Sequence, residues 1–209
     1  MHQLRQAGLV RTTPHVLNGQ RTTIVSLTRE GRDLLNAHRH TNRATVQRFY
    51  ADIVKPRELA HDAHVYRAYL RAADRLVEQG ARVNRVVLDY ELKREYQQFL
   101  QVGNRDRPDS DGRPTRTARE IDDWALDHYL PSDDGHVSFP DVRIEYELPD
   151  GRRGHEDVEV MTQQYRGAHA SGKASAGFTQ YRARTGLGAG GGRSGRGAPF
   201  DPRVAERLL

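Results

Sequence analysis

Cysteine is absent from this chain of 209 residues. Its absence excludes disulfides, thiolate zinc sites and cysteine nucleophiles together. No run of about 18 apolar residues occurs, so no membrane-spanning helix is expected. No apolar stretch follows a basic start at the N-terminus, so no secretory signal is expected either. A cytoplasmic protein with no membrane partner follows as the expectation. Apolar residues reach only 36%, below the usual share for a globular chain. A core can form, but not across every segment. Lysine is scarce as well. Lys55, Lys93 and Lys173 are the lysines, and the remaining basic residues are arginines. No Gly-x-x-x-x-Gly-Lys-Ser/Thr phosphate loop and no Gly-x-Ser-x-Gly elbow is present. The glycine run Gly188 to Gly192 follows no strand, so it does not read as a dinucleotide loop.

What is present is charge, unevenly spread. The formal net charge is +5, with residues 1–60 and 161–209 each at +6, residues 61–100 at +1 and residues 101–160 at −8. Basic ends suggest a polyanionic partner, most often nucleic acid. An acidic middle is either solvated surface or a place for a divalent cation.

Composition and punctuation divide the chain into three: 1–54, 55–185 and 186–209. In the first, Leu4, Ala7 and Leu9 suit one side of a short helix that Gly8 ends. Val10 to Thr13 and Thr22 to Leu27 read as strands around a polar tip at Asn18-Gly19-Gln20. Thr28 is placed to cap a helix running from Glu30 to about Phe49. In the second, apolar residues recur at helical spacing from Leu59 to Val77, and Gly80 supplies the stop. A strand is expected over Val83–Tyr90, and helices over Glu91–Val102 and Thr117–Leu130. An antiparallel hairpin is expected from Val137–Leu148 and Glu156–Met161, and a further helix from Lys173 to about Arg184. Residues Gly103 to Pro114 read as an exposed loop. In the third, seven glycines fall among residues 186–199, which suits a flexible linker, with a short helix over residues 201–209. The fold class expected is α/β in the α+β sense.

The stretch Leu4-Arg5-Gln6-Ala7-Gly8-Leu9-Val10, the basic hairpin with Arg21, and Ser26-Leu27-Thr28-Arg29-Glu30-Gly31-Arg32-Asp33-Leu34-Leu35 together resemble the back half of a MarR-type winged helix. The resemblance implies DNA as a partner, with Arg5 on the recognition helix and Arg11 and Arg21 on the wing beside phosphates. A helix–hairpin–helix with no nucleic-acid role accounts for the same residues. That fold carries two helices before the recognition helix, which here begins at Met1. A downstream start, a fragment or a reduced domain packed on its neighbour would each account for this.

The residues that carry chemistry are Phe139-Pro140-Asp141, then Asp157-Val158-Glu159-Val160-Met161, then Lys173. Asp157 and Glu159 share one strand face, and Val158 and Val160 the other. The order of a helix, a strand, an acid-bearing hairpin and a helix is similar to the PD-(D/E)xK nuclease core, a restriction-endonuclease-like mixed sheet flanked by helices. The resemblance implies Asp141, Glu159 and Lys173 as catalytic residues, with Asp141, Asp157 and Glu159 around Mg²⁺ or Mn²⁺. The position two after Glu159 is Met161, where active members carry lysine, so Lys173 would have to substitute. An exposed acidic hairpin with no metal explains the same residues.

Taken together, the winged-helix segment, the Leu59-Ala60-His61 helix, the Pro140-Asp141 and Val158-Glu159-Val160 strands and the Lys173 to Tyr181 stretch resemble the plasmid replication-relaxation family. This implies a plasmid or other mobile element as the setting. Three readings stand. The first is a DNA-binding accessory protein whose nuclease-like domain lacks robust activity. The second is a metal-dependent DNA nuclease. The third is a winged-helix transcriptional regulator whose second segment serves dimerisation or effector binding. Whether the chain is an enzyme stays open among them. Partners would be DNA, and either a second copy of the chain or replication and mobilisation proteins of the element. Among the histidines, His38 and His40 lie on different helix faces. His61 and His64 are one turn apart on a helix surface, and His155 and His169 flank the acidic strand.

Overall fold

A computed structural model describes residues 1–17, 19–42, 47–53, 55–104, 114–161 and 177–182. In chain order the elements are α1 (His2–Gln6), β1 (Val10–Leu17), β2 (Gln20–Leu27), α2 (Arg29–Asn42), α3 (Leu59–Glu78), β3 (Arg82–Leu88), α4 (Asp89–Gln101) and α5 (Ala118–Asp127). They are followed by β4 (Ser132–Asp133), β5 (His136–Val137), β6 (Val142–Glu147), β7 (Arg153–Met161) and β8 (Thr179–Arg182). The class is mixed α+β, with helices around small sheets. No helix among the described residues is long and apolar enough to cross a membrane.

The central sheet has the order β3-β6-β7-β8. β6 lies antiparallel to both β3 and β7, while β8 runs parallel to β7. Strand alternation gives this sheet two different faces. Val142 and Ile144 of β6, with Val158 of β7, turn toward α3 and join its Val65, Ala68, Ala72 and Leu76 in one buried cluster that also holds Val160. The alanines at 68 and 72 have almost no exposed surface, which lets the helix axis approach the sheet closely. The opposite face carries Val87 of β3 against Leu92 of α4, and Ala125 and Leu130 at α5. α3 stops where its sequence says it must. Gly80 sits at φ +80°, and the Gly80 and Ala81 amides donate back to Val77 and Leu76. This is the reciprocal pair of bonds that a left-handed glycine permits.

The N-terminal elements pair β1 with β2 in one register, Val10 opposite Leu27 through Leu17 opposite Gln20. Thr28 caps α2: its hydroxyl donates to the Gly8 carbonyl at 2.6 Å and accepts the Gly31 amide at 3.1 Å. Gly31 is buried, and a Cβ there would lie 2.0 Å from the Leu9 carbonyl oxygen. Glycine is therefore required by close approach. Chain 47–53 then crosses to the sheet. The Gln47 side chain accepts from the Val86 amide at 2.7 Å and donates to the Val86 carbonyl at 3.1 Å.

Five expectations need correction. The helix expected from Glu30 to about Phe49 ends at Asn42, and Gln47–Phe49 is not helical. Val137 does not belong to β6, because Ser138 to Asp141, with buried Pro140, separates it from Val142; Val137 pairs instead with Ser132. The strand expected as far as Tyr90 ends at Leu88, and α4 starts at Asp89. The helix expected to reach Arg184 is a strand over Thr179–Arg182, held by parallel pairing to β7, a non-local contact that local periodicity does not encode. The expected loop begins later than Gly103, because Val102–Asn104 forms a 3-10 turn; its residues 105–113, Lys173, His169, the glycine-rich stretch 186–199 and the expected helix over 201–209 lie outside the described residues.

Candidate functional site

Asp141 sits just before β6 and is held at three points. Its carbonyl accepts the Asp89 amide at the start of α4, at 3.3 Å. One carboxylate oxygen, Oδ2, accepts the Val160 amide at 2.8 Å. The other, Oδ1, lies 3.3 Å from His61 Nε2 on α3. The carboxylate thus takes the place of a ladder acceptor where β6 has not yet begun. The β6–β7 register ends at Val142 opposite Val158. Beyond that pair, the Val160 amide's bond to Asp141 brings this acid beside the stretch of β7 that carries Glu159. Glu159 is almost fully buried, at 1% exposure. Two acids predicted from sequence are therefore brought to one end of the hairpin. Met161 follows on the same strand face as Glu159, half-buried.

Asp157 is differently employed. Both its oxygens are taken by Arg143, Nε to Oδ1 at 2.7 Å and Nη2 to Oδ2 at 2.8 Å. The remaining reach of the same guanidinium goes to the carbonyls of His128 at 2.7 Å and Tyr129 at 3.0 Å, at the end of α5. A bidentate pair buried this well is a structural clamp. It sets Asp157 apart from the Asp141 and Glu159 end, although the strand parity is the same.

The electrostatics follow the contacts. The hydrogen bond to Asp141 holds the His61 imidazole above its ordinary pKa, against a desolvation that pulls it down. His64, one turn on, goes the other way through burial and the nearby Arg67. Burial and Arg143 likewise depress His155, which stands 3.9 Å from Asp157. His155 also edges a cavity of about 260 Å³ with Tyr129, Pro131, Asp157, Phe178 and Thr179. Among the described residues no three His, Asp or Glu side chains are grouped so as to hold a metal by themselves.

The arginines expected to meet DNA are not gathered together. Arg5 is exposed in the last turn of α1. Arg11, opposite Ser26, and Arg21, opposite Val16, fall on opposite faces of the β1–β2 hairpin. Both are exposed, and Arg11 pairs with Asp52 at 3.1 Å. Sequence reading missed the His61–Asp141 contact and the Arg143 clamp. It also missed a row of basic residues along α3. Helical spacing of 64, 67, 71 and 75 is a signal that would have found that row. No known protein family, curated protein or solved structure matches the chain.

Proposed function

We propose that this chain is a DNA-binding protein with a nuclease-like core that cleaves poorly. Its role is that of an accessory factor of a plasmid or other mobile element acting in the cytoplasm. The observation that carries the reading is the seating of Asp141 on the Val160 amide, next in sequence to the buried Glu159, at the open end of the β6–β7 hairpin. Further support is the order of helix α3, strand β3, the acid-bearing hairpin and a parallel fourth strand. That order is similar to the PD-(D/E)xK core. The α1-β1-β2-α2 order similarly fits the winged-helix resemblance.

The donor set suits a hard cation. Mg²⁺ is commonly held through one or two carboxylates, waters and substrate phosphates rather than by a full protein cage. Asp141 and Glu159 would supply those carboxylates, and the ion would neutralise charge at a phosphodiester. The chain's own groups do the positioning. The Val160 amide orients Asp141 through one oxygen, and His61 on α3 contacts the other. Met161 offers no proton and no charge where an active enzyme of this type carries lysine, so slow or absent cleavage is the expected behaviour.

The test joins two assays on the full chain. Labelled duplex DNA should bind with a salt-dependent affinity, and a supercoiled plasmid with Mn²⁺ should be nicked slowly or not at all. Mg²⁺ or Mn²⁺ should raise the melting temperature by binding the folded state, and Asp141→Asn should abolish that rise. Fast cleavage lost in Glu159→Gln would replace this reading with a working nuclease. Absence of DNA binding would remove it.

A further inference from the structure

α3 carries its basic residues on one side. At about 100° per residue, His61, His64, Arg67, Arg71 and Arg75 fall within a single arc of the helix, which Glu78 shares only in the last turn. From His61 to Arg71 the helix rises about 15 Å, at ~1.5 Å per residue. Ala68 lies within the same arc and packs into the core, so the row borders the sheet on one flank. There β8 supplies Tyr181 and Arg182, and a narrow groove runs between the two elements, lined by His64, Arg67, Arg71, Val160, Tyr181 and Arg182.

The partners of these side chains differ in a telling way. Arg75 is satisfied within the fold, donating to Glu156 and to the Tyr181 hydroxyl. Arg67, Arg71 and Arg182 are exposed, and among the described residues none has a carboxylate within ion-pair distance. A fold this rich in ion pairs leaves three guanidiniums together along one groove. The groove also leads somewhere. Its floor residue Val160 is the one whose amide holds Asp141, and His61, at the N-terminal end of the row, contacts the same carboxylate.

The geometry points to this α3–β8 groove as the seat of a nucleic-acid phosphate backbone, with Arg67, Arg71 and Arg182 as its phosphate contacts. The inference rests on the DNA-binding reading above and relocates its main contact surface from the N-terminal hairpin to the core. A backbone lying along α3 would bring a phosphodiester to the Asp141 end. Guanidiniums contacting phosphates position the strand without reading bases, so binding here is sequence-independent.

The experiment measures binding of labelled duplex and single-stranded DNA to the full chain over a salt series. Wild type is compared with Arg67→Gln/Arg71→Gln/Arg182→Gln and with Arg21→Gln. Circular dichroism melts confirm that each variant is folded. Each lost phosphate contact lowers the slope of log affinity against log salt by about 0.9 on duplex and ~0.7 on single strands. The triple variant should therefore lose roughly two to three units of slope on duplex DNA, with weakened binding to every sequence tried. Arg21→Gln should lose no more than about one. A triple variant that is folded and binds with wild-type affinity and slope refutes the groove and leaves the DNA reading standing. Wild-type protein that binds neither DNA in low salt refutes both. Wild-type protein that binds polyglutamate but no DNA would assign the groove to an acidic protein and overturn the inference.

Discussion

Replacing Arg143 with Met should be among the most damaging single changes in the protein. The side chain is 7% exposed and its partner Asp157 9%. The guanidinium closes a bidentate pair across β6 and β7 and satisfies two carbonyls at the end of α5. Met has a similar stem but no donor, so Asp157 would be left as a buried, uncompensated charge. Breaking such a pair from one side costs about 3–5 kcal/mol, a large part of the ~5–15 kcal/mol that holds a typical domain folded. At roughly 2–4 °C per kcal/mol for a chain of this size, the melting temperature should fall by about 6–20 °C. The double variant Arg143→Met/Asp157→Leu removes both charges and should recover much of the loss. It will not recover all, because the His128 and Tyr129 carbonyls lose their donor. Urea unfolding followed by Trp124 fluorescence is the natural assay, since this indole stacks on His128, with ring centroids 3.9 Å apart. The reasoning is refuted if Arg143→Met costs under about 1 kcal/mol, the scale of an exposed pair. It is equally refuted if the two single changes simply add in the double variant, since residues in contact should couple by ~0.5–3 kcal/mol.

The His61–Asp141 contact predicts a pH dependence of known sign. Because the His61 pKa is raised on folding, its contribution is complete below the ordinary histidine value of about 6.5 and fades as pH rises through the folded value. Thermal melts of wild type and His61→Gln should therefore differ most in mild acid and converge at alkaline pH. Gly31→Ala should loosen the N-terminal elements, because the new methyl would meet the Leu9 carbonyl at 2.0 Å; a cost of about 1–3 kcal/mol should appear as faster proteolysis within residues 1–42. Arg11→Ala should change DNA affinity less than Arg21→Ala in a salt titration, since Arg11 already faces Asp52 and Arg21 has no such neighbour among the described residues.

Where information was local, the sequence was enough. α3 could be placed from the recurrence of Leu59, Val65, Ala73 and Leu76, and its end from Gly80, because helix periodicity and a left-handed stop are properties of neighbouring residues. The capping threonine at 28 belongs to the same class. The hairpin that carries Glu159 on its second strand was legible too, from the turn residues Pro149 to Gly151 between two alternating stretches. Contacts between distant residues were not legible. Arg143 reads as a surface charge until Asp157 and the α5 carbonyls surround it. Arg11 reads as free until Asp52, forty-one positions away, meets it. The parallel seating of β8 depends on a partner strand that no local pattern announces. The near-neutral balance of residues 61–100 also concealed the row on α3, since a charge total is blind to which side of a helix the charges occupy.

The Gln47 side chain has a consequence for how this molecule coexists with its own copies. Among the described residues β3 has a strand neighbour on one side only, and a bare sheet margin is a template for intermolecular strand addition. The Gln47 amide fills one rung of that margin with the same donor and acceptor pair that an incoming strand would offer. An intruding chain must therefore evict it before zippering can start. The plug is tethered through Leu27 and Ala51, which form a bridge to β2. Unravelling of the N-terminal hairpin would then do more than lose that hairpin: it would uncork the sheet and turn a folded protein into a seed for aggregation.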